Sequence, residues 1–372
     1  MLKRSLTIFR FAFVALATSL LTTAQAQIHQ PTVRTQNSQT QQTLISVSPV
    51  NSQIVWASGT GGTWLLTTDG GQTWRHGVVQ GTQNLQFRDV QGISDKIAYL
   101  QSIGNNPGDF RIFKTTDGGV TWNQQFQNRT VNAFYDCFAF WTPTRGISHS
   151  DSVIGVFPDI RTTDGKHWES IKNNMPPALP GEFSFAASGT CIATQGDMNA
   201  WIVTGGGSAA RDLVTRDGGD TWNAYDTPLI SSGSAGAFTV AFRDPLNGIV
   251  AGGDLDPNDP YNARTASSND GGVTWKLTNP PPVTGAIFGL GYVSGAGLGL
   301  GGKSAKDTSS TTTGFSRAVV VTAETGGAAW TPDEGTTWFK LPNVSGYWAV
   351  AFSDPHNGWM VGLNGQILKI SF

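Results

Sequence analysis

Short stretches in which apolar residues alternate with small or polar ones recur along the chain, separated by glycine, proline, asparagine or aspartate. One stretch runs from Phe238 to Phe242 and ends at an Asp-Pro turn, and a second follows from Gly248 to Gly253. Arg264 to Ser268 leads into a glycine-rich turn, after which Trp275 opens a fourth stretch. Alternation with a period of two between turn residues predicts β-strands. Such a unit therefore predicts four short antiparallel strands.

One phrase recurs six times between the third and fourth predicted strands. Its first copy, Thr67 to Trp74, reads T-T-D-G-G-Q-T-W. The six aspartates are spaced 48, 47, 53, 53 and 63 residues apart. Each copy pairs an aspartate with a tryptophan: Asp69 with Trp74, Asp117 with Trp122, Asp164 with Trp168, Asp217 with Trp222, Asp270 with Trp275 and Asp333 with Trp338. A turn motif repeated at this period predicts an array of small β-sheets.

The last unit indicates how many sheets there are. Trp348 to Ile370 repeats the pattern of three inner strands but ends before any turn phrase or fourth strand. Six complete units and this one predict an all-β, seven-bladed β-propeller of four-stranded antiparallel blades. The missing outer strand is expected from the start of the mature chain, near Ile28 to Thr35, because it would cover an exposed sheet edge. The alternative is a six-bladed ring with a loose C-terminal piece.

The repeated aspartates are predicted to be structural. In a hairpin turn a carboxylate can accept nearby backbone N–H groups, the glycines permit positive φ, and the tryptophan packs into the sheet. The alternative is one metal or substrate site per blade, but a repeat copies its folding signals into every unit. We therefore assign a structural role to Asp69, Asp117, Asp164, Asp217, Asp270 and Asp333.

The first 26 residues have the pattern of a cleavable signal peptide. A basic start is followed by a short apolar run from Phe11 to Leu21 and by the small-residue site Ala24 to Ala26, which predicts cleavage after Ala26. No later segment reaches twenty apolar residues, so no membrane span is expected. We expect a periplasmic or secreted protein with a single propeller domain over residues 27–372.

Composition and charge narrow the classes of function. Glycine accounts for 46 of 372 residues and charged residues for only 13%, which suits many short strands and tight turns. Removing the three basic residues of the signal peptide, which has no acidic one, changes the formal net charge from -2 to -5. Nucleic-acid-binding proteins carry a basic footprint, so no nucleic-acid partner is expected. We also expect a monomer.

The turn phrase resembles the Asp-box, or BNR, repeat of sialidases, xyloglucanases and the sortilin ectodomain. With Phe-x-Asp-Pro-x-x-Gly ahead of the phrase, the unit is more similar to the photosystem II stability and assembly factor family and its exported, YCF48-related bacterial relatives. The most specific segments are Tyr135 to Trp141, Ser150 to Ser152, Met175 to Glu182 and Phe185 to Thr190. The resemblance covers residues 43–372 and implies a seven-bladed propeller, but it does not imply a reaction.

We interpret the chain as an exported scaffold that binds or helps to assemble another envelope component, either a protein or a glycan. Recognition is expected on one face of the ring, where loops and inner-strand ends converge. Arginines there would pair with acidic groups of the ligand, and aspartates would orient them. The residues predicted for this surface are Arg88, Asp89, Asp136, Arg145, His149, Asp151, Arg243, Asp244 and His356. Asp244 and Asp354 repeat in register, so both can also be structural.

A glycoside hydrolase acting on glycans or sialosides is the alternative function. Such an enzyme needs two carboxyl groups about 5 to 10 Å apart. Asp89, Asp136 and Asp151 lie on or just after the inner strands of neighbouring units, so they are the candidate catalytic acids. The competing interpretation is that they hydrogen-bond turns, because most buried acids are satisfied locally.

No cofactor and no metal are expected. The chain has no nucleotide-binding glycine motif after a strand, and its five histidines lack zinc-type spacing. The tryptophan repeats that dock quinone cofactors in other propellers are missing as well. The oxidoreductase label carried by some relatives therefore gains no support from these residues.

The two cysteines and two insertions leave open questions. Cys137 and Cys191 occupy equivalent positions on the inner strands of adjacent units. An even count in an exported protein favours a disulfide, whereas equivalent positions on neighbouring blades can exceed the Cα limit of about 7 Å, so both states stay open.

Leu255 to Ala263 and Ser294 to Ser316 lengthen units five and six. Long loops often bind ligands, although the second, low-complexity insertion also fits a loop without a partner.

Overall fold

Seven four-stranded antiparallel β-sheets form the described part of the protein, which confirms the predicted seven-bladed propeller. The structure is a computed structural model, and it describes residues 30–171, 174–256, 262–295, 315–324 and 326–372. The predicted signal peptide lies outside these residues. So do most of the insertion from Ser294 to Ser316 and the centre of the insertion from Leu255 to Ala263.

Each sheet is one blade, and its strands follow one another from the channel outwards. The first strand of the chain, β1 (Thr32–Asn37), belongs to the last blade. Blade 1 contains β2 (Leu44–Pro49), β3 (Val55–Gly59), β4 (Thr63–Thr67) and β5 (Arg75–Val78). Blade 2 contains β6 (Gln86–Gly92), β7 (Ala98–Ile103), β8 (Arg111–Thr115) and β9 (Asn123–Gln127). Blade 3 contains β10 (Tyr135–Thr142), β11 (Arg145–Ser150), β12 (Ile160–Thr162) and β13 (Glu169–Ser170).

The remaining blades follow in the same order. Blade 4 contains β14 (Ile192–Gln195), β15 (Asn199–Val203), β16 (Arg211–Thr215) and β17 (Asn223–Asp226). Blade 5 contains β18 (Ala235–Phe242), β19 (Gly248–Asp254), β20 (Thr265–Ser268) and β21 (Lys276–Leu277). Blade 6 contains β22 (Gly289–Tyr292), β23 (Val319–Ala323), β24 (Gly327–Thr331) and β25 (Phe339–Leu341). Blade 7 contains β26 (Tyr347–Asp354), β27 (Asn357–Gly362), β28 (Gln366–Ser371) and β1.

The first strand closes the ring. β1 pairs antiparallel with β28 along its whole length, from Thr32 opposite Ser371 to Asn37 opposite Gln366. The expected outer strand is therefore present, although it begins at Thr32 rather than near Ile28. Blade 7 is complete, so the alternative of six blades with a loose C-terminal piece is wrong.

Aromatic side chains fill the space between adjacent blades. Trp201 of blade 4 stacks on Phe242 of blade 5, with ring centroids 3.7 Å apart. Trp56 of blade 1 meets Trp122 of blade 2 edge-on at 6.0 Å. Because a blade in a ring is covered on both faces, inner strands such as β2 and β3 are buried at every position. The core is therefore divided into layers between the blades.

The turn phrases are held by hydrogen bonds to their aspartates. Asp117 accepts the backbone N–H of Thr121 at 2.9 Å and its hydroxyl at 2.5 Å, and it also accepts the Thr115 hydroxyl at 2.8 Å. The side chain and backbone of Thr121 lower the pKa of Asp117 to about 2. The Asp69, Asp217 and Asp270 turns repeat these bonds. This geometry gives the aspartate a local structural role.

The same turns also join neighbouring blades. A lysine or arginine lies over an aromatic ring of its own blade and donates a hydrogen bond to a turn-glycine carbonyl of the next blade. Among the described residues the cases are Arg75 over Trp64 to Gly118, Lys114 over Tyr99 to Gly165, Arg145 over Trp141 to Gly218, Arg216 over Trp201 to Gly271, and Lys369 over Trp359 to Gly70. These cations are therefore part of the contact between blades.

Replacing Gln36 with alanine is expected to lower the free energy of unfolding by about 1 to 3 kcal/mol. Gln36 is buried on β1, where it donates to Gly70 O at 3.1 Å and accepts from Trp74 Nε1 at 3.1 Å. It thus ties the closing strand to blade 1. Urea denaturation measures the change, with Thr35→Ala as the matched control because Thr35 is exposed on the same strand. An equal effect of both substitutions would contradict this role.

Candidate binding site at the channel mouth

The inner strands of the seven blades surround a central channel. Its walls include the small and polar side chains of Ser46, Gln91 and Thr194, and it holds about 100 Å³ of space for water-sized molecules. Each blade has four antiparallel strands, so the fourth strand ends on the face where the first began. All seven inner strands consequently start on one face. We call it the front face, the opposite one the back face, and the front end of the channel the mouth.

A repeated β-bulge shapes the mouth. Five inner strands each carry one extra residue near their front ends, where two residues oppose one on the neighbouring strand. A bulge bends its strand and re-aims a side chain, and bulges are common beside functional sites. The extra residues are Ile45, Arg88, Asp136, Phe238 and Trp348. Arg88 and Asp136 are the charged members of this set.

Aromatic rings connect these positions in an arc around the mouth. The aromatic arc consists of Phe183, Phe185, Phe238, Phe288 and Trp348. Consecutive ring centroids in that order lie 4.9, 3.9, 6.0 and 5.0 Å apart. The Arg88 guanidinium completes the arc, 5.1 Å from the centre of the Trp348 ring. Phe238 is fully buried, whereas Phe183, Phe288, Trp348 and Arg88 are half-buried and expose part of their surface to solvent.

The segment from Phe185 to Thr190, the plug, spans the channel at the mouth. Ala186 O accepts from Arg88 Nη1 of blade 2 at 2.8 Å, and Ser188 Oγ donates to Phe288 O of blade 6 at 2.5 Å. A segment that contacts blades on both sides of the ring must cross the axis. Gly189 has a positive φ of 76°, and an added Cβ would lie 2.6 Å from the carboxyl carbon of Asp89, so glycine is required there.

A disulfide holds one end of the plug. Cys191 directly follows it and is joined to Cys137 of β10, with Cα atoms 6.1 Å apart. Both cysteines are fully buried. The bond links blades 3 and 4 beside the mouth and fixes where the plug ends.

Asp89 is engaged in holding blades together. Its carboxylate accepts the Phe138 backbone N–H of blade 3 at 2.9 Å and the Ser46 hydroxyl of blade 1 at 3.3 Å. Burial raises its pKa well above the ordinary value, while these bonds oppose the rise. Asp89 therefore connects blades 1, 2 and 3.

Asp136 and Asp151 form a hydrogen-bonded carboxyl pair below Arg88. Burial and the Asp151 carboxyl raise the pKa of Asp136 well above its usual range, and burial raises the pKa of Asp151 to about 6. Asp136 is 1% exposed, and among the described residues no N–H or O–H group donates to its Oδ2. A proton on Asp136 explains this environment, because two carboxylates offer each other no donor. Asp151 also accepts the Ser184 N–H at 2.9 Å.

A buried histidine, His149, interacts with Asp159 and influences the carboxyl pair. His149 Nδ1 lies 3.0 Å from Asp159 Oδ2, and the other Asp159 oxygen accepts the Ser150 N–H at 2.9 Å. Both side chains are inaccessible to solvent. The hydrogen bonds with Ser184 and Asp136, and then the electrostatic effect of His149, lower the pKa of Asp151 and oppose the effect of burial. His149 therefore acts on the mouth through Asp151 and does not reach its surface.

The residues predicted to share one recognition surface lie on two opposite faces of the ring. Arg88, Asp136, His149 and Asp151 lie at the front. Arg145, Arg243, Asp244 and His356 lie at the turns between first and second strands, which are on the back face. An eight-residue strand such as β10 separates its two ends by about 23 Å, since each residue adds about 3.3 Å.

The back-face residues have local partners. Arg145 joins blades 3 and 4 through Gly218 O at 3.0 Å. Arg243 pairs with Glu334 at 2.7 Å and with Asp244 at 2.5 Å. Asp244 caps its own turn through the Leu246 and Asn247 N–H groups, and His356 Nδ1 lies 2.8 Å from Phe372 O. These contacts give the four residues structural roles.

The aromatic half of the site was not predicted from the sequence. Phe183, Phe288 and Trp348 were not among the predicted residues, although Trp348 occupies the bulge position of the last unit. Aligning the starts of the inner strands would have placed Trp348 beside Arg88 and Asp136. Phe183 gives no such signal, because it lies in the irregular segment ahead of the plug.

Each of the three candidate catalytic acids is engaged by other groups of the protein. Asp89 bonds to two neighbouring blades, and Asp136 and Asp151 are hydrogen-bonded to each other. In the described part of the chain, no three His, Cys, Asp or Glu side chains are grouped to hold a metal ion. The described residues also include no helix with the length and apolar character needed to cross a membrane.

Similarity to solved structures extends over nearly the whole chain. YCF48 bound to a D1 peptide is 16% identical, with a TM-score of 0.61 over 93% of this chain and 97% of that one. YCF48 from Cyanidioschyzon merolae is 15% identical, with a TM-score of 0.60 over 91% and 98%. The WD40 propeller domain of Doa1 is 12% identical, with a TM-score of 0.54 over 91% and 95%. No protein-family model and no curated protein sequence matches the chain.

At these identities the similarity shows the fold. It confirms the resemblance to YCF48-related propellers that the repeated units indicate.

Replacing Asp151 with asparagine is expected to change how stability depends on pH. The pKa of Asp151 is raised from 3.8 to about 6 on folding, so the folded protein holds this proton more tightly than the unfolded chain. Its contribution to the free energy of unfolding therefore falls as the pH rises from about 4 to about 6. The free energy of unfolding of Asp151→Asn, relative to that of wild type, should therefore increase by about 2 kcal/mol over that pH range.

Urea midpoints at pH 4, 5, 6 and 7 measure this difference. Asp244→Asn is the control, because hydrogen bonds hold the pKa of Asp244 below its usual value against the opposing effect of burial. A difference between Asp151→Asn and wild type that stays constant with pH would show that the pair does not share a proton.

Proposed function

We propose that this protein is an exported binding scaffold whose front face recognises a segment of another envelope protein, with Arg88 as the anchor. The observation that carries this proposal is a fixed cation that forms no salt bridge with any described residue. Arg88 donates to Gln86 Oε1 at 3.1 Å and to Ala186 O at 2.8 Å, and its guanidinium carbon lies 5.1 Å from the centre of the Trp348 ring. No carboxylate of the described residues forms an ion pair with it. A pre-oriented guanidinium with free N–H groups is a receptor for a carboxylate.

Arg88 keeps its charge at neutral pH. Burial lowers its pKa to about 10, against the opposing effects of Asp136 and Glu324. The shared proton limits Asp136 and Asp151 to about one negative charge, so the pair only partly cancels the field of the guanidinium. An incoming carboxylate can supply the missing charge.

The aromatic arc supplies the apolar part of the site. Phe288 and Trp348 are half-buried beside Arg88, and Phe183 lies at the other end of the arc. Aromatic rings and arginine are the residue types that carry most binding energy in protein interfaces. A polypeptide that presents an acidic residue beside an apolar one fits this surface better than an uncharged glycan does.

Three further observations support the proposal. A YCF48 propeller, one of the similar structures, has a peptide bound, which provides a precedent for peptide recognition on this fold. The basic and apolar start of the sequence, with Ala24 to Ala26 ahead of the cleavage point, supports export. The Cys137 to Cys191 disulfide is consistent with an oxidising compartment such as the periplasm or the exterior.

Replacing Arg88 with glutamine is expected to weaken partner binding by at least about tenfold, because charge-assisted hydrogen bonds contribute about 1.5 to 3 kcal/mol. Envelope extract would be passed over the immobilised mature protein, and retained proteins would be quantified by mass spectrometry. Arg34→Gln is the matched control, since Arg34 is exposed on β1 in blade 7. Retention that is identical on wild type, Arg88→Gln and Arg34→Gln would refute an Arg88-centred site.

The hydrolase alternative makes a different prediction. Purified mature protein is expected to release no sugar from a panel of polysaccharides and sialosides, because Asp89 is hydrogen-bonded to two neighbouring blades and Asp136 and Asp151 are hydrogen-bonded to each other. Turnover by wild type that disappears in a folded Asp136→Asn/Asp151→Asn variant would show instead that the carboxyl pair is catalytic.

A further inference from the structure

An exposed apolar surface lies beside the mouth, over blades 3 and 4. It consists of two loops, residues 153–156 and 175–180, which we call the apolar ridge. Ile154 is 99% exposed and Val156 is 60% exposed. Pro177 and Pro180 are also exposed, and Val153, Met175, Pro176, Ala178 and Leu179 are half-buried. Exposed apolar side chains grouped on one surface mark a candidate interaction site.

The two loops of the ridge are joined to each other and to the mouth. Ala178 N donates to Gly155 O at 3.0 Å, which connects the loops. Ser152 Oγ donates to Glu182 O at 2.7 Å, just before Phe183 of the aromatic arc. Asp151, the last residue before the first loop, belongs to the carboxyl pair below Arg88. The ridge is therefore continuous with the site around Arg88.

A buried ion pair makes the ridge rigid. Glu182 is 1% exposed and Arg211 is 8% exposed, and Arg211 Nε donates to Glu182 Oε1 at 2.9 Å. From below the ridge, Glu182 Oε2 accepts the Leu179 N–H at 2.6 Å and Arg211 Nη2 donates to Pro177 O at 2.9 Å. With three prolines the loop is also stiff in itself. A rigid apolar surface loses little entropy when it binds.

Ile154 is unfavourable for folding at its position. It and Gly155 form a two-residue turn between Val153 and Val156, and both have positive φ values, of 52° and 78°. Such turns favour Asn-Gly, whereas a β-branched residue is disfavoured at positive φ. The side chain has almost no contact within the protein that would offset this strain. A contact with another molecule would explain why an isoleucine occupies this strained and exposed position.

The chemistry of the ridge points to protein rather than membrane. Residues 152–158 and 174–181 contain no lysine, arginine, tryptophan or tyrosine. Surfaces that bind anionic membranes use basic residues and interfacial aromatics. Apolar side chains of a polypeptide can pack on the ridge without either type of residue.

We propose that the apolar ridge is a second contact site for the partner segment, which places apolar side chains on Ile154 and Val156 while an acidic residue reaches Arg88. This inference rests on the proposed function and deepens it. The partner is then an extended polypeptide with apolar residues a few positions from a carboxylate, and not a carboxylate alone. A segment held at both sites runs across the front face from Arg88 on blade 2 to the ridge over blades 3 and 4.

Ile154→Asn tests the ridge, because asparagine suits positive φ and removes the apolar side chain. Its melting temperature should equal or exceed that of wild type. Leu246→Asn is the matched control, since Leu246 is 55% exposed in a turn on the back face. The probe is a displayed library of random twelve-residue peptides panned on the mature protein, followed by binding measurements with synthetic copies.

We expect selected peptides to combine an acidic residue with nearby apolar residues. Ile154→Asn should weaken their binding by about tenfold, the value for losing one buried aliphatic side chain. Leu246→Asn should leave it unchanged. Peptides whose binding is weakened by Arg88→Gln but not by Ile154→Asn would refute the proposed contact at the ridge and would leave the Arg88 site supported. Selection of no peptide above background would remove support from both.

Two further measurements test whether the ridge instead binds a membrane surface or a second copy of this chain. Vesicles of phosphatidylethanolamine and phosphatidylglycerol that bind wild type but not Ile154→Asn would identify a membrane surface and overturn the proposal. A dimer in sedimentation that Ile154→Asn dissociates would identify a second copy of this chain and overturn it equally.

Discussion

Closure of the ring by β1 is the constraint on which the rest of the structure depends. A blade is covered on both faces only if it has a neighbour on each side. Without β1, blade 7 would have three strands and the two ends of the propeller would not be joined by strand pairing. β1 completes that blade by pairing with all of β28, and Gln36 ties it to blade 1. With the ring closed, every inner strand has a fixed position around the channel, and the mouth acquires a defined shape.

The candidate site is formed by residues that differ from blade to blade, whereas the residues that hold the blades together recur. The turn aspartates and the cations beside the aromatic rings recur from blade to blade and hold the blades together. Arg88, Asp136 and Trp348 share one bulge position, yet each has a different chemistry. The plug leads into blade 4, and the carboxyl pair belongs to blade 3. A repeat scaffold can concentrate function in such exceptions because the other blades supply its stability.

The sequence predicted the features that depend on local chemistry. Turn residues and strand alternation are properties of short segments, so the number of blades, their strands and the origin of the closing strand followed from pattern alone. The separation of front from back did not follow, because Asp136 and Arg145 are only nine positions apart and still lie on opposite faces of the ring. The aromatic arc was missed for a related reason, since its members come from four different blades.

The sequence by itself determined a closed propeller, the places of its turns and the identity of the acids and arginines near the channel. Tertiary structure decided which of these groups meet. Asp136 and Asp151 become a carboxyl pair only when β10 and β11 lie side by side, and their pKa values depend on burial that the ring creates. Ile154 becomes an exposed contact only because its turn projects from the front face. Pairing and burial depend on distances through space, and sequence order does not encode them.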